Sequence, residues 1–138
     1  MKILIRDGNY YFLRFDPGDE IIQGLIDFSN SEGVTAASFT AIGASRETVI
    51  AYYDLEQKKY EDRVIAEDVE IVSVTGNIGR LAGKPAIHAH GVFSKRDCTT
   101  IAGHIKRIVV SATCEVSLRK LDGTLERKFN EKLGLNLL

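Results

Sequence analysis

Apolar and polar residues alternate with period two along most of the chain and switch to helical spacing only once. Tyr10 to Phe15 reads as an aromatic-rich strand, stopped by Asp16-Pro17-Gly18-Asp19. Ile21, Ile22, Leu25, Ile26 and Phe28 then form an apolar stripe at helical spacing, which predicts one helix capped by Asp19 and closed near Gly33. After Gly33 the pattern is strand. Thr35 to Ala44 and Thr48 to Tyr53 are two runs divided by the polar turn Ser45-Arg46-Glu47. Tyr60 to Ala66 and Val69 to Val74 flank Glu67-Asp68, a hairpin-like break. Ala86 to Phe93 and Thr99 to Ile105 flank a polar loop from Ser94 to Cys98. In the last long run, Ile108, Val110, Ala112, Cys114, Val116 and Leu118 share one face, and polar residues from Ser111 to Arg119 take the other. Asp122-Gly123 is a turn signal that predicts a final short hairpin.

Strands joined by short loops must pair antiparallel, because a parallel crossover needs a dozen or more residues. The expected fold class is therefore α+β, a mostly antiparallel sheet with one main helix. No linker, repeat or low-complexity tract divides residues 1–138, so a single domain is expected. The apolar tail Leu133 to Leu138 is expected to pack on something, a neighbouring subunit being one candidate.

Composition narrows the function classes. With 44% hydrophobic and 27% charged residues the chain can build a core. No apolar run reaches the ~20 residues a membrane helix needs, and charge interrupts the amino end too early for a signal peptide. Cys98 and Cys114 form no Cys-x-x-Cys pair and read as reduced thiols, so a cytoplasmic location is expected. The 18 Lys and Arg stand against 19 Asp and Glu, a balance that argues against nucleic acid as a partner.

Chemistry concentrates in the three histidines. His88-Ala89-His90 puts two imidazoles on one strand face, and antiparallel pairing about a loop centred near Asp97 sets His90 opposite His104. Directly opposed side chains have Cβ atoms ~4.5–5.5 Å apart. The spacing thus predicts a facial tripod for a divalent metal, zinc above all, with one coordination position open. The small residues Ala86, Ala89, Gly91, Ala102 and Gly103 are expected to leave room around it, with a bulge at Gly103. Cys98 and Cys114 lie too far along their strands to ligate. Glu70 and Glu115 are the candidates for a base or for a partner to a ligating histidine. No catalytic residue is assigned.

Two other motifs carry nothing. Gly79 to Pro85 resembles a phosphate loop, yet the glycine spacing is one residue short and Pro85 stands where a hydroxyl belongs, so it reads as a turn. Lys95, Arg96, Lys106 and Arg107 read as solvated hairpin tips.

The order Gly43-Ala44, then Glu70 to Ile78, then His88-Ala89-His90-Gly91, then Ala102-Gly103-His104, then Ala112 to Val116 resembles a prokaryotic member of the plant-and-prokaryote-conserved (PPC) domain family. The resemblance covers the chain from about Tyr11 to Leu138. It implies a homotrimer with a metal on the positions of His88, His90 and His104. It also implies a subunit fold similar to acetolactate decarboxylases, which use a three-histidine zinc site. Plant members follow AT-hook segments that bind DNA; this chain has no Arg-Gly-Arg hook, so that role does not carry over, although prokaryotic members often bear a DNA-binding label. Three functions stay open: a trimeric metal-binding module, a metal-dependent lyase or hydrolase with a small-molecule ligand at the open position, and a DNA-associated regulator.

Overall fold

The computed structural model describes residues 1–138. Nine strands and one helix follow in the order β1 (Lys2–Asp7), β2 (Tyr10–Phe15), α1 (Ile21–Ser31), β3 (Ala37–Asp54), β4 (Lys59–Ile65), β5 (Val69–Leu81), β6 (Lys84–Ser94), β7 (Thr100–Lys120), β8 (Glu126–Asn130) and β9 (Leu135–Leu137). Every long pairing is antiparallel, and a two-residue parallel contact joins β8 to β5. The α+β expectation holds. The pairings β3–β5, β5–β6, β6–β7 and β7–β3 return to their starting point, so the central strands form a closed ring.

The helix is where its apolar stripe places it. Ile21, Leu25, Phe28 and Ser29 are its buried positions, and Tyr11 meets Phe28 edge-on with ring centroids 5.0 Å apart. Gly24 lets the helix close onto β2, since a Cβ there would lie 2.4 Å from the Phe15 ring. Gly33, at φ +59°, ends the helix as expected. The cap differs. Glu20, not Asp19, accepts from the Ile22 and Gln23 amides, and its Oε1 also accepts from Ile108 N at 3.0 Å. A glutamate reaches both the first turn and β7, which the shorter Asp19 cannot; Asp19 instead accepts from Asp16 N and the terminal amine of Met1.

Four strand expectations need correction. Lys2–Asp7, read only as a charged amino end, is an exposed edge strand beside β2. Ser45-Arg46-Glu47 is not a turn: β3 runs through it unbroken, and β7 likewise runs through 106–107. The polar residues are absorbed by bulges, and Ser45 and Thr48, both fully buried, satisfy each other at 2.8 Å. Glu67-Asp68 is not a hairpin either. β4 pairs with residues 48–54 of β3 and β5 with residues 37–45, so the two lie end to end along one edge of β3. The final hairpin is β8–β9, beyond the Asp122-Gly123 turn, and it takes the apolar tail into its second strand.

Within Gly79 to Pro85, Ala82 and Gly83 form the β5–β6 hairpin turn, both at positive φ, as a two-residue turn of type I′ requires. One buried cluster, anchored by Phe15, Phe28, Phe93, Leu13 and Leu118, unites the helix with the ring. Within the β6–β7 hairpin, Ala89, Phe93 and Ile105 face this core. By period two, His88, His90 and His104 face away from it.

Candidate metal centre

The hairpin β6–β7 sets His90 opposite His104, the register that its loop length predicts. The three imidazoles lie with ring centroids 5.2, 5.2 and 5.4 Å apart, and one nitrogen of each lies within 4.8 Å of the others. Bonds of ~2.0–2.1 Å to a tetrahedral zinc set nitrogens ~3.3 Å apart, so inward shifts of under about 1 Å would complete a tripod. His104 Nδ1 is buried with no hydrogen-bond partner. Buried polar atoms are almost always satisfied, and a nitrogen left orphaned beside two other imidazoles fits a bound ion. Burial, reinforced by the two other histidines, Lys106 and Arg127, pushes His104 down to about 4. Burial also lowers His88, with Arg127 and His90 adding to the shift. A neutral imidazole is the form a metal binds, so both shifts favour the metal-ready form of His88 and His104 at neutral pH.

Other expected features fall elsewhere. Gly91 and Gly103 do not open the site. A Cβ at Gly91 would press on Ile105 and Phe93, and one at Gly103 on the Ala51 carbonyl and Ile50, so both glycines serve core packing. The bulge sits one register step beyond His104, where Val49 and Ile50 of β3 pair with Arg107 and Ile105 and leave Lys106 unpaired. Cys114 is buried against Gly43 and Phe15, and Cys98 stands exposed in the β6–β7 loop; the ligand cluster contains histidines alone. Glu70 pairs with Ala44 and Ser94, and Glu115 with Arg14 and Ile42, so neither reaches the histidines. Of the four basic residues expected at hairpin tips, Lys95 and Arg96 lie in the β6–β7 loop, with Lys95 paired to Glu67, whereas Lys106 and Arg107 lie inside β7 and pair with Asp62 and Glu47.

Two residues of the site escaped the sequence reading. Tyr60 on β4 stacks on His104 with centroids 4.8 Å apart, and burial raises its phenol above the ordinary value. Arg127 on β8 donates to Asn77 Oδ1 at 2.5 Å, and both Arg127 and Tyr60 line a cleft of about 320 Å³ with His88 and His104. No spacing signal could have found them, because β4 reaches the site through β3, and β8 through β5. A larger cleft of about 610 Å³ lies by Glu70, Ser94 and Ser111 and contains no histidine.

Residues 5–122 match the profile of the Plants and Prokaryotes Conserved (PCC) domain. The metal-containing protein of Archaeoglobus fulgidus is 37% identical, with a TM-score of 0.89 over 99% of this chain and 98% of that one. A PPC protein of Pyrococcus horikoshii is 30% identical, with a TM-score of 0.89 over 94% of this chain and 90% of that one. A protein of Bacteroides thetaiotaomicron, described provisionally as DNA-binding, is 27% identical, with a TM-score of 0.93 over 96% and 93% of the two chains. At the level of fold alone, acetolactate decarboxylase of Bacillus subtilis is 14% identical, with a TM-score of 0.57 over 88% of this chain and 57% of that one. No curated protein sequence matches the chain.

Proposed function

The chain belongs to the plants-and-prokaryotes-conserved domain family, and we propose that it is a metal-binding protein of one domain, residues 1–138, assembled as a homotrimer and holding a divalent ion on His88, His90 and His104. The observation that carries this reading is the orphaned, buried Nδ1 of His104 within a cross-strand histidine triad. Three imidazoles with a position left open suit zinc. The Archaeoglobus relative, described as metal-containing, supports the reading. A reducing, cytoplasmic setting would suit the two free thiols, and no helix is long and apolar enough to cross a membrane.

Lyase or hydrolase chemistry at the open position is the alternative. Binding is favoured over it because no Asp or Glu lines the cleft to act as general acid or base. Light scattering coupled to elemental analysis of one untagged chromatographic fraction tests the assembly and the ion together. The expected result is three times the 15.3 kDa subunit mass and one divalent ion per chain. A clean monomer would sink the trimer, and a metal-free fraction the metal site.

The DNA-binding description of the Bacteroides relative motivates a separate reading. Non-specific duplex binding needs several cationic contacts in one footprint. Here the net charge is −1, and Lys95, Lys106 and Arg107 are spent on carboxylates of the same chain. Fluorescence anisotropy on random and AT-rich duplexes at physiological salt is expected to show binding weaker than the ~10⁻⁴–10⁻⁶ M of ordinary non-specific binders. Sub-micromolar binding with a steep salt slope would make DNA the leading partner.

A further inference from the structure

We infer that the β8–β9 hairpin is a lid on the histidine cleft, pivoting where it leaves β5 and latched at its tip by Tyr53 and Lys58. Its opening sets how fast an ion or a small molecule reaches His88 and His104. The reading of the triad as a metal site bears on what the lid admits, not on its motion.

Arg127 at the start of the hairpin and Gly134 to Leu137 at its return line the cleft of about 320 Å³ with His88 and His104. Those two histidines are half-buried, whereas His90 lies outside the lining and is exposed. The hairpin therefore covers two members of the triad and leaves the third open. It also holds together by itself. Beyond the β8–β9 pairing, Gly134 N donates to the Asn130 carbonyl at 2.7 Å and Leu133 N to Asn130 Oδ1 at 3.0 Å. Such a unit can move as one piece.

Its attachment to the body is slight and unevenly placed. No side chain from Leu121 to Leu138 is buried, and none belongs to the core cluster. The stem is fixed: Arg80 N donates to the Leu125 carbonyl at 2.7 Å, and Leu125 N to the Thr35 carbonyl at 3.2 Å. The pairing with β5 then ends after Glu126 and Arg127, where Arg127 Nη2 donates to Asn77 Oδ1. The pivot falls there, at residues 125–127. At the far end the Tyr53 hydroxyl donates to the Leu133 carbonyl at 2.7 Å, and Lys58 Nζ to the Glu131 carbonyl at 3.1 Å. Segments that bury few apolar groups open locally at far lower free energy than the whole fold. Each latch bond shifts such an opening by roughly two- to tenfold.

Carbethoxylation of the histidines in metal-free protein, read residue by residue by mass spectrometry, tests the lid with His90 as internal standard. His88 and His104 should react about fivefold or more slower than His90. Tyr53→Phe with Lys58→Met removes both latch bonds and keeps the apolar body of each side chain. This variant should speed His88 and His104 about fivefold or more and leave His90 unchanged. A staple tests the opposite direction. A Cβ at Gly134 would lie 3.1 Å from Lys58 Cβ, close to the ~3.5–4.5 Å that a disulfide spans. Lys58→Cys with Gly134→Cys, in a Cys98→Ser background, should slow both histidines below the wild type when oxidised and release them when reduced. In metal-loaded protein, ion loss to a chelator should follow the same order. Wild-type His88 and His104 as reactive as His90, unchanged rates in the latch variant, an equal rise at all three histidines, or equal rates in the oxidised and reduced staple overturns the lid and leaves the metal reading standing. Should one variant fail to fold or its disulfide fail to close, the other decides. A wild type without metal overturns the metal reading, and the carbethoxylation rates still decide the lid.

Discussion

Replacing His90 and His104 together by alanine is expected to drop the metal content from about one ion per chain to a trace. A lone His88 offers one nitrogen where a tripod offered three, and the ligand set has no cysteine or carboxylate in reserve. The fold should survive, because all three rings face away from the core and His90 is exposed. Circular dichroism of the variant should therefore match the metal-free wild type. Retention of the ion would remove the triad as the site.

The same side chains predict a pH profile. Protons compete with the metal for neutral imidazole, and burial holds His104 at about 4, well below the ordinary 6.5. Its affinity for protons is therefore weak, and metal release should come as the pH falls from 6.5 toward 4. Stability of the metal-free protein follows the same sign. The unfolded chain binds the His104 proton at a higher pH than the folded one. His104's contribution is thus fully present above 6.5 and is lost as the pH falls through that window. Melting temperatures of metal-free protein measured at pH 7 and pH 5 should decrease in that order, and His104→Ala should flatten the difference.

Gly43→Ala is expected to cost about 3 kcal/mol or more, a large part of the ~5–15 kcal/mol that holds a domain of this size together. Gly43 sits at φ +154° where β3 shifts register against both β5 and β7. A Cβ there would lie 2.2 Å from the Thr113 carbonyl oxygen and 2.7 Å from Cys114 Cα. Both are backbone atoms of the strand at the centre of the sheet, so no side chain can rotate out of the way. A fall in melting temperature of roughly 10 °C or more follows. Gly83→Ala is the control: φ is also positive there, but nothing lies within 4 Å of the added Cβ, so only backbone strain of about 1 kcal/mol is expected. Equal melting temperatures for the two variants would show that β3 and β7 can separate locally, contrary to the packing.

The contrast between these two glycines shows where the sequence stops being readable. A two-residue hairpin turn is a local object: Ala82-Gly83 between two apolar runs carries its own turn chemistry, and the β5–β6 turn was legible from it. Gly43 looks like any glycine in a strand. Its role depends on Thr113, seventy positions away, and no local pattern encodes that distance.

The helix from Ile21 and the histidine register were determined by the sequence alone, for a shared reason. Helical periodicity places Ile21, Leu25 and Phe28 on one face through bonds only four residues long. A short hairpin loop places His90 against His104 by counting from its centre. In both, the residues that meet are joined by a short, stiff stretch of chain. Tertiary structure alone decided that β4 and β5 share one edge of β3, that β3 and β7 bend through bulges without breaking, and that Tyr60 and Arg127 arrive beside the histidines. Those contacts join strands far apart in sequence, where period two says which face a side chain takes but not which strand lies next to it. The choice among partners is made by collective burial in the closed ring, and it is there that the histidine triad acquires a cleft free of carboxylates.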